Sequence, residues 1–157
     1  MNIRDVIEQL VSELEYYREG ESYTTPVGFG YGRKYDNNIN ADNDTLPRVY
    51  LIEPDMPGFR VKAVDGNVND RWNIFLQFLT IDAPEMAQQA DYRYDAVEDM
   101  RSLAAQFLYR LSLSDLFEDI TEVVPAVLLV DYLDANVTGI EINLANLTAL
   151  QPIGFCP

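Results

Sequence analysis

The stretch RWNIFLQFLTID, residues 71–82, constrains the fold more than any other. Trp72, Ile74, Leu76 and Phe78 alternate onto one face, as a strand with a two-residue period requires. The opposite face carries Phe75, Leu79 and Ile81, so part of this strand must be covered on both sides. A chain with such a strand needs a sheet around it and a layer packed on that sheet. At 157 residues and 48% hydrophobic, the length suits one domain, 1–157, with a real core.

The elements around this strand follow from periodicity. Ile3, Val6, Ile7, Leu10, Val11 and Leu14 recur at helical spacing behind Asn2, a residue suited to an N-cap. They predict an amphipathic helix over about residues 3–18. PRVYLIEP and GFRVKAVDG read as two short strands joined by a turn at PDMPG, and DGNVND turns into RWNIFLQFLTID. Three strands with two tight turns make an antiparallel meander. A second helix is expected over about 92–112, with Tyr94, Val97, Met100, Ala104, Phe107 and Leu111 on its inner face. SDLFEDI suggests one more helical turn, with Asp115 as cap and Glu118 three residues on. AVLLVDYL, the turn DANVTG and TGIEINLANL close the chain as two strands. The order α-β-β-β-α-β-β points to an α+β fold: a mostly antiparallel sheet of about five strands with two main helices packed on it.

Composition then narrows function. The chain has 26 acidic and 11 basic residues, a net charge of −15, and no histidine. So acidic a surface repels nucleic-acid phosphates and anionic membranes, and specific nucleic-acid binding is not expected. Without histidine there is no Ser/His/Asp triad, Cys/His pair or His-based zinc site. The single Cys156 excludes an internal disulfide. MNIRDVIEQL has neither a basic leader nor a long apolar run, and no run of about 18 apolar residues suggests a membrane span. Charge is also uneven: after Arg110 the remaining 47 residues hold seven acids and no base.

Two stretches resemble ligand sites and fail on context. GFGYGRKY has glycines at 28, 30 and 32 followed by Arg33 and Lys34. A P-loop needs GxxxxGK[ST] between a strand and a helix, and here Tyr35 follows the lysine. Asp36, Asn38 and Asn40 occupy offsets 1, 3 and 5 of a calcium loop, but the turn glycine is Ala41 and the bidentate glutamate is Pro47. Asp42 and Asp44 leave scope for weak cation binding only. Carboxylates suited to glycosidase chemistry cluster at Glu118, Asp119 and Glu122, and at Asp95, Glu98 and Asp99. In a chain this acidic, solvated faces account for such clusters. No catalytic, cofactor-binding or metal residue is assigned, and no enzyme activity is expected.

What stands out is the segment 19–46, about 28 residues against a usual connection of about 4–6. It concentrates Tyr23, Phe29, Tyr31 and Tyr35 beside Arg33 and Lys34. Aromatic residues and arginine are enriched at protein interfaces, so this loop is read as a partner-binding arm. Its basic pair and the acidic C-terminal half form complementary surfaces for neighbouring copies. TGIEINLANL, with Glu141 and Asn143 exposed, or PRVYLIEP, is expected to offer a sheet edge to a neighbour.

The succession MNIRDVIEQLVSELE, long loop, WNIFLQFLTID, YDAVEDMRSLAAQFLYRL and DANVTGIEINL resembles the bacteriophage tail terminator (tail completion) family over nearly the whole chain, in the order and type of its elements. That resemblance implies a structural virion protein assembled in a bacterial host cytoplasm. It implies a ring of copies, usually hexameric, at the head-proximal end of a long tail. The ring ends polymerisation of the tail-tube protein and joins a neck or head-completion protein, with DNA passing its channel. Other readings are a connector or tube-like component of the same particle, an acidic cytoplasmic adaptor or inhibitor of a basic partner, and a small two-carboxylate hydrolase.

Overall fold

A computed structural model describes residues 2–17, 22, 24–34, 37, 46–61, 66, 68–81, 90–132 and 137–154. The elements run α1 (Ile3–Ser12), β1 (Tyr16–Tyr17), β2 (Thr24–Thr25), β3 (Gly28–Gly32), β4 (Arg48–Val61), β5 (Val68–Ile81), α2 (Ala90–Leu113), β6 (Ala126–Tyr132) and β7 (Val137–Thr148). The fold is α+β, with a five-stranded main sheet in the order β3-β4-β5-β7-β6. All its pairings are antiparallel except β3 with β4.

RWNIFLQFLTID lies in β5, the middle strand, with β4 on one side and β7 on the other. Its Trp72, Ile74, Leu76 and Phe78 join Val49 and Leu51 of β4 and Ile140, Ile142 and Leu144 of β7 in one buried cluster. Ile3, Val6, Ile7, Leu10 and Val11 of α1 and Met100, Leu103, Ala104, Phe107 and Leu111 of α2 complete it. Both helices therefore cover the same face of the sheet. Phe78 and Phe107 meet edge to face with centroids 6.0 Å apart, tying the central strand to α2.

Several elements differ from the periodicity reading. Asn2 does cap α1, its side chain accepting the Asp5 N–H at 2.9 Å. The helix nevertheless ends at Ser12, because Tyr16 and Tyr17 turn extended to pair with Thr25 and Thr24. PDMPG is no turn: PRVYLIEP and GFRV belong to one 14-residue strand, β4. Its ladder shifts register between Ile52 and Asp55 and again between Asp55 and Gly58, which accommodates Pro54 and Pro57. β3 pairs only with Arg48–Ile52, so the prolines also stand where no second neighbour needs their missing N–H.

Because these two predicted strands, PRVYLIEP and GFRV, are one, the expected meander reduces to the β4–β5 hairpin, and α2 then crosses from β5 to β6 on the far side of β7. SDLFEDI forms no helical turn. Asp115 takes a left-handed conformation at φ 52°, and buried Phe117 bridges Ala149 instead. The Leu150 N–H bonds the Leu116 carbonyl and the Glu118 N–H the Thr148 carbonyl, each at 2.8 Å, so tertiary hydrogen bonds replace helical ones.

Gly139 explains how closely β7 approaches β5. A Cβ on it would lie within 2.9 Å of the Phe78 carbonyl carbon. We predict that Gly139→Ala forces these backbones apart and lowers stability by about 1–3 kcal/mol or more. Urea unfolding followed by circular dichroism checks this, with the midpoint shifting down at unchanged slope.

Candidate functional site

The glycine run that resembled a loop is strand β3. Alternating Gly28, Gly30 and Gly32 with Phe29 and Tyr31 is a period of two, and the strand pairs in parallel with Arg48–Ile52. Phe29 and Tyr31 stand opposite Val49 and Leu51 and pack against the core. The glycines line the other face. A Cβ at residue 30 would come within 2.6 Å of the Arg48 Nε, so the missing side chain is what seats the Arg48 guanidinium across the strand. That guanidinium also lies 5.4 Å from the Tyr50 ring centroid, a cation–π contact. Arg4 of α1 lies 5.6 Å over the Tyr31 ring on the opposite side.

After Gly32 the described residues Arg33, Lys34 and Asn37 lie against the second face of the sheet. The Tyr50 hydroxyl donates to the Arg33 carbonyl at 3.0 Å. Lys34 Nζ reaches the two Glu141 carboxylate oxygens at 3.2 and 3.4 Å. Asn37 Nδ2 donates to Gln77 Oε1, and Gln77 Nε2 donates to Glu141 Oε2, both at 2.7 Å. Gln77 is fully buried in the middle of β5. Both ends of its amide are thus satisfied, as a buried polar group requires.

These contacts follow one row across the sheet. Gly30 is opposite Tyr50, Tyr50 opposite Gln77, Gln77 opposite Glu141, and Glu141 opposite Val127. The row joins all five strands, and Arg33, Lys34 and Asn37 contact three of its members, Tyr50, Glu141 and Gln77.

The interface residues expected from sequence separate accordingly. Phe29 and Tyr31 are half-buried packing residues. Arg33 exposes 79% of its side chain and sits 3.8 Å from Glu53, a pair worth little in water. Lys34 and Glu141 are indeed complementary, but within one chain; Glu141 keeps only 15% of its side chain exposed. Asn143 is likewise half-buried. Neither β7 nor β4 at PRVYLIEP is an edge of the sheet. The edges are β3 and β6. Tyr23, Tyr35 and the cation run Asp36–Asp44, apart from Asn37, lie outside the described residues. Sequence reading missed Gln77, whose signal was an amide inside the apolar run Ile74–Leu79.

Three residues of the acidic clusters have partners. Glu118 pairs with Arg60, Glu98 with Arg101 at 2.7 Å, and Asp99 accepts the Tyr16 hydroxyl at 3.0 Å. The surface carries shallow open depressions. One, of about 410 Å³, lies between α1 and the end of α2 beside the Arg110–Glu13 ion pair. Another, of about 190 Å³, is lined by Arg60, Arg71 and Glu118. Among the described residues no three His, Cys, Asp or Glu side chains gather as metal ligands, and no helix is long and apolar enough to cross a membrane. Comparison of the chain with protein-family models and with curated proteins finds no match.

The strap makes a specific prediction. Glu141→Ala removes the carboxylate that accepts from both Lys34 and the buried Gln77 Nε2. We expect a loss of about 1–3 kcal/mol in chemical unfolding. Trypsin cleavage after Arg33 and Lys34 should also accelerate. Unchanged cleavage would show that the strap is held by other contacts.

Proposed function

We propose that this chain is a structural virion protein that forms a ring at the head-proximal end of a long phage tail, ending tail-tube polymerisation and joining tail to neck. The observation that carries this reading is the open five-stranded sheet, which ends in two unlike edge strands. A closed ring of heterologous contacts needs two different, complementary surfaces on every subunit, and an open sheet with unlike edges supplies them.

Three further features support it. The element order α-β-β-β-α-β-β of the main sheet and its helices, with both helices on one face, follows the resemblance drawn from the sequence. The second face is strapped by its own chain rather than opened as a substrate cleft. A net charge of −15 suits a channel that passes DNA without holding it. The partners in this reading are copies of the chain, the tail-tube protein and a neck protein.

Light scattering across protein concentration and salt, with negative-stain images, tests the proposal. The expected result is a single closed ring of about six subunits. Long tubes would favour a tube protein instead. A monomer at every concentration would favour an acidic adaptor of a basic partner.

A further inference from the structure

We propose that the end of the β4–β5 hairpin, residues 58–61 with 68–70, is a latched arm. It hinges at the level of Asn73, and the ion pair of Arg60 with Glu118 holds it to the body. The inference goes beyond the ring reading and does not depend on it, because it concerns the single folded subunit.

The hinge comes from the pairing. Between the pairs Ile52–Phe75 and Gly58–Arg71 the β4–β5 ladder has one further pair, Asp55 with Asn73, and its register shifts on either side of it. Pro54 and Pro57 fall in the same stretch and have no N–H to give the ladder. β3 pairs no further than Ile52, so it lends β4 no support there. On the other side of β5 the pairing with β7 shifts between Trp72 and Ile74, and Asn146 takes a left-handed φ of 57°. These irregularities meet at Asn73, whose side chain spans them. Its Oδ1 accepts the Asn146 N–H at 3.0 Å, and its Nδ2 donates to Asp55 Oδ2 at 3.5 Å. Register shifts bend strands and interrupt the ladder, so a line of them across three strands is where a sheet flexes most easily.

Beyond that line the hairpin has little apolar anchorage. None of residues 58–61 or 68–70 belongs to the buried core. Phe59, Val61 and Val68 are exposed; Val61 and Val68 are cross-strand partners, and Phe59 stands two residues away on the same face. The opposite face carries the polar ties. Arg60 pairs with Glu118, and Asn69, across the ladder from Arg60, donates to the Ala149 carbonyl at 2.6 Å. The Ala149 N–H in turn bonds the Asp70 carbonyl at 2.8 Å. Ala149 and Phe117, the residue before Glu118, lie in the core, so these ties run from the arm to the packed part of the molecule. Arg60 and Glu118 expose 48% and 25% of their side chains, which leaves their attraction open to screening by salt. Apolar packing would fix the arm permanently, whereas an ion pair partly in water holds it reversibly.

Hydrogen exchange of the full chain, read by mass spectrometry, tests the latch. Arg60→Gln removes the charge, and the amides of residues 58–61 and 68–70 should then exchange about two- to fivefold faster, the range of a partly exposed ion pair. Residues 74–79 in the middle of β5 should keep their rates. Raising salt from about 0.01 to 1 M should speed the arm amides of the unaltered chain and leave those of Arg60→Gln unaffected. Arg60→Lys keeps the charge and should keep both the protection and its salt dependence. Unchanged arm exchange in Arg60→Gln would overturn the latch, and so would equal acceleration in Arg60→Lys. Acceleration that spreads to residues 74–79 would overturn the hinge, because the sheet would then open as one unit.

Discussion

A fully buried glutamine within the apolar run Ile74–Leu79 of the central strand organises the second face of this sheet. Gln77 lies in β5 with no exposure to water, so each end of its amide needs a partner inside the protein. Glu141, opposite it on β7, accepts from one end. Asn37 donates to the other, and it can do so only if the chain after β3 crosses the sheet. Lys34, two residues past the strand, then compensates the half-buried Glu141 carboxylate on the way. The placement of Lys34 and Asn37 thus satisfies one carboxylate and one amide.

The helical face works differently. There α1 and α2 bury an apolar surface with no directional requirement, and the area removed from water dominates. The two faces divide the labour of folding: one supplies most of the apolar burial, the other supplies register. A one-residue slip of β5 against β7 would separate Gln77 from Glu141 and turn Trp72, Ile74, Leu76 and Phe78 out of the core. Both penalties act on the same slip.

The asymmetry of the molecule is lateral. Glycines in β3 admit an arginine across the strand, whereas β6 carries exposed aliphatic side chains. In a chain whose bases all precede residue 111, topology sends β3 to one end of the sheet and β6 to the other. The fold nevertheless brings bases to the C-terminal acids, Lys34 to Glu141 and Arg60 to Glu118.

Amphipathic periodicity by itself determined the two helices, the α+β class, the hairpin between β4 and β5, and the core residues from Ile3 to Leu144. Each of these reflects short-range spacing, and spacing is written directly in the chain. It failed where a local signal met a tertiary override. Pro54 and Pro57 looked like a turn, but β4 has no second neighbour there and continues through them. Gly28–Gly32 looked like a loop, although its alternation with aromatics was a strand period in plain view. Strand order lay beyond reach, because pairing partners far apart in sequence are chosen by the packing of the whole sheet. Only that order decided which strands are edges, and that Lys34 and Glu141 meet within one chain.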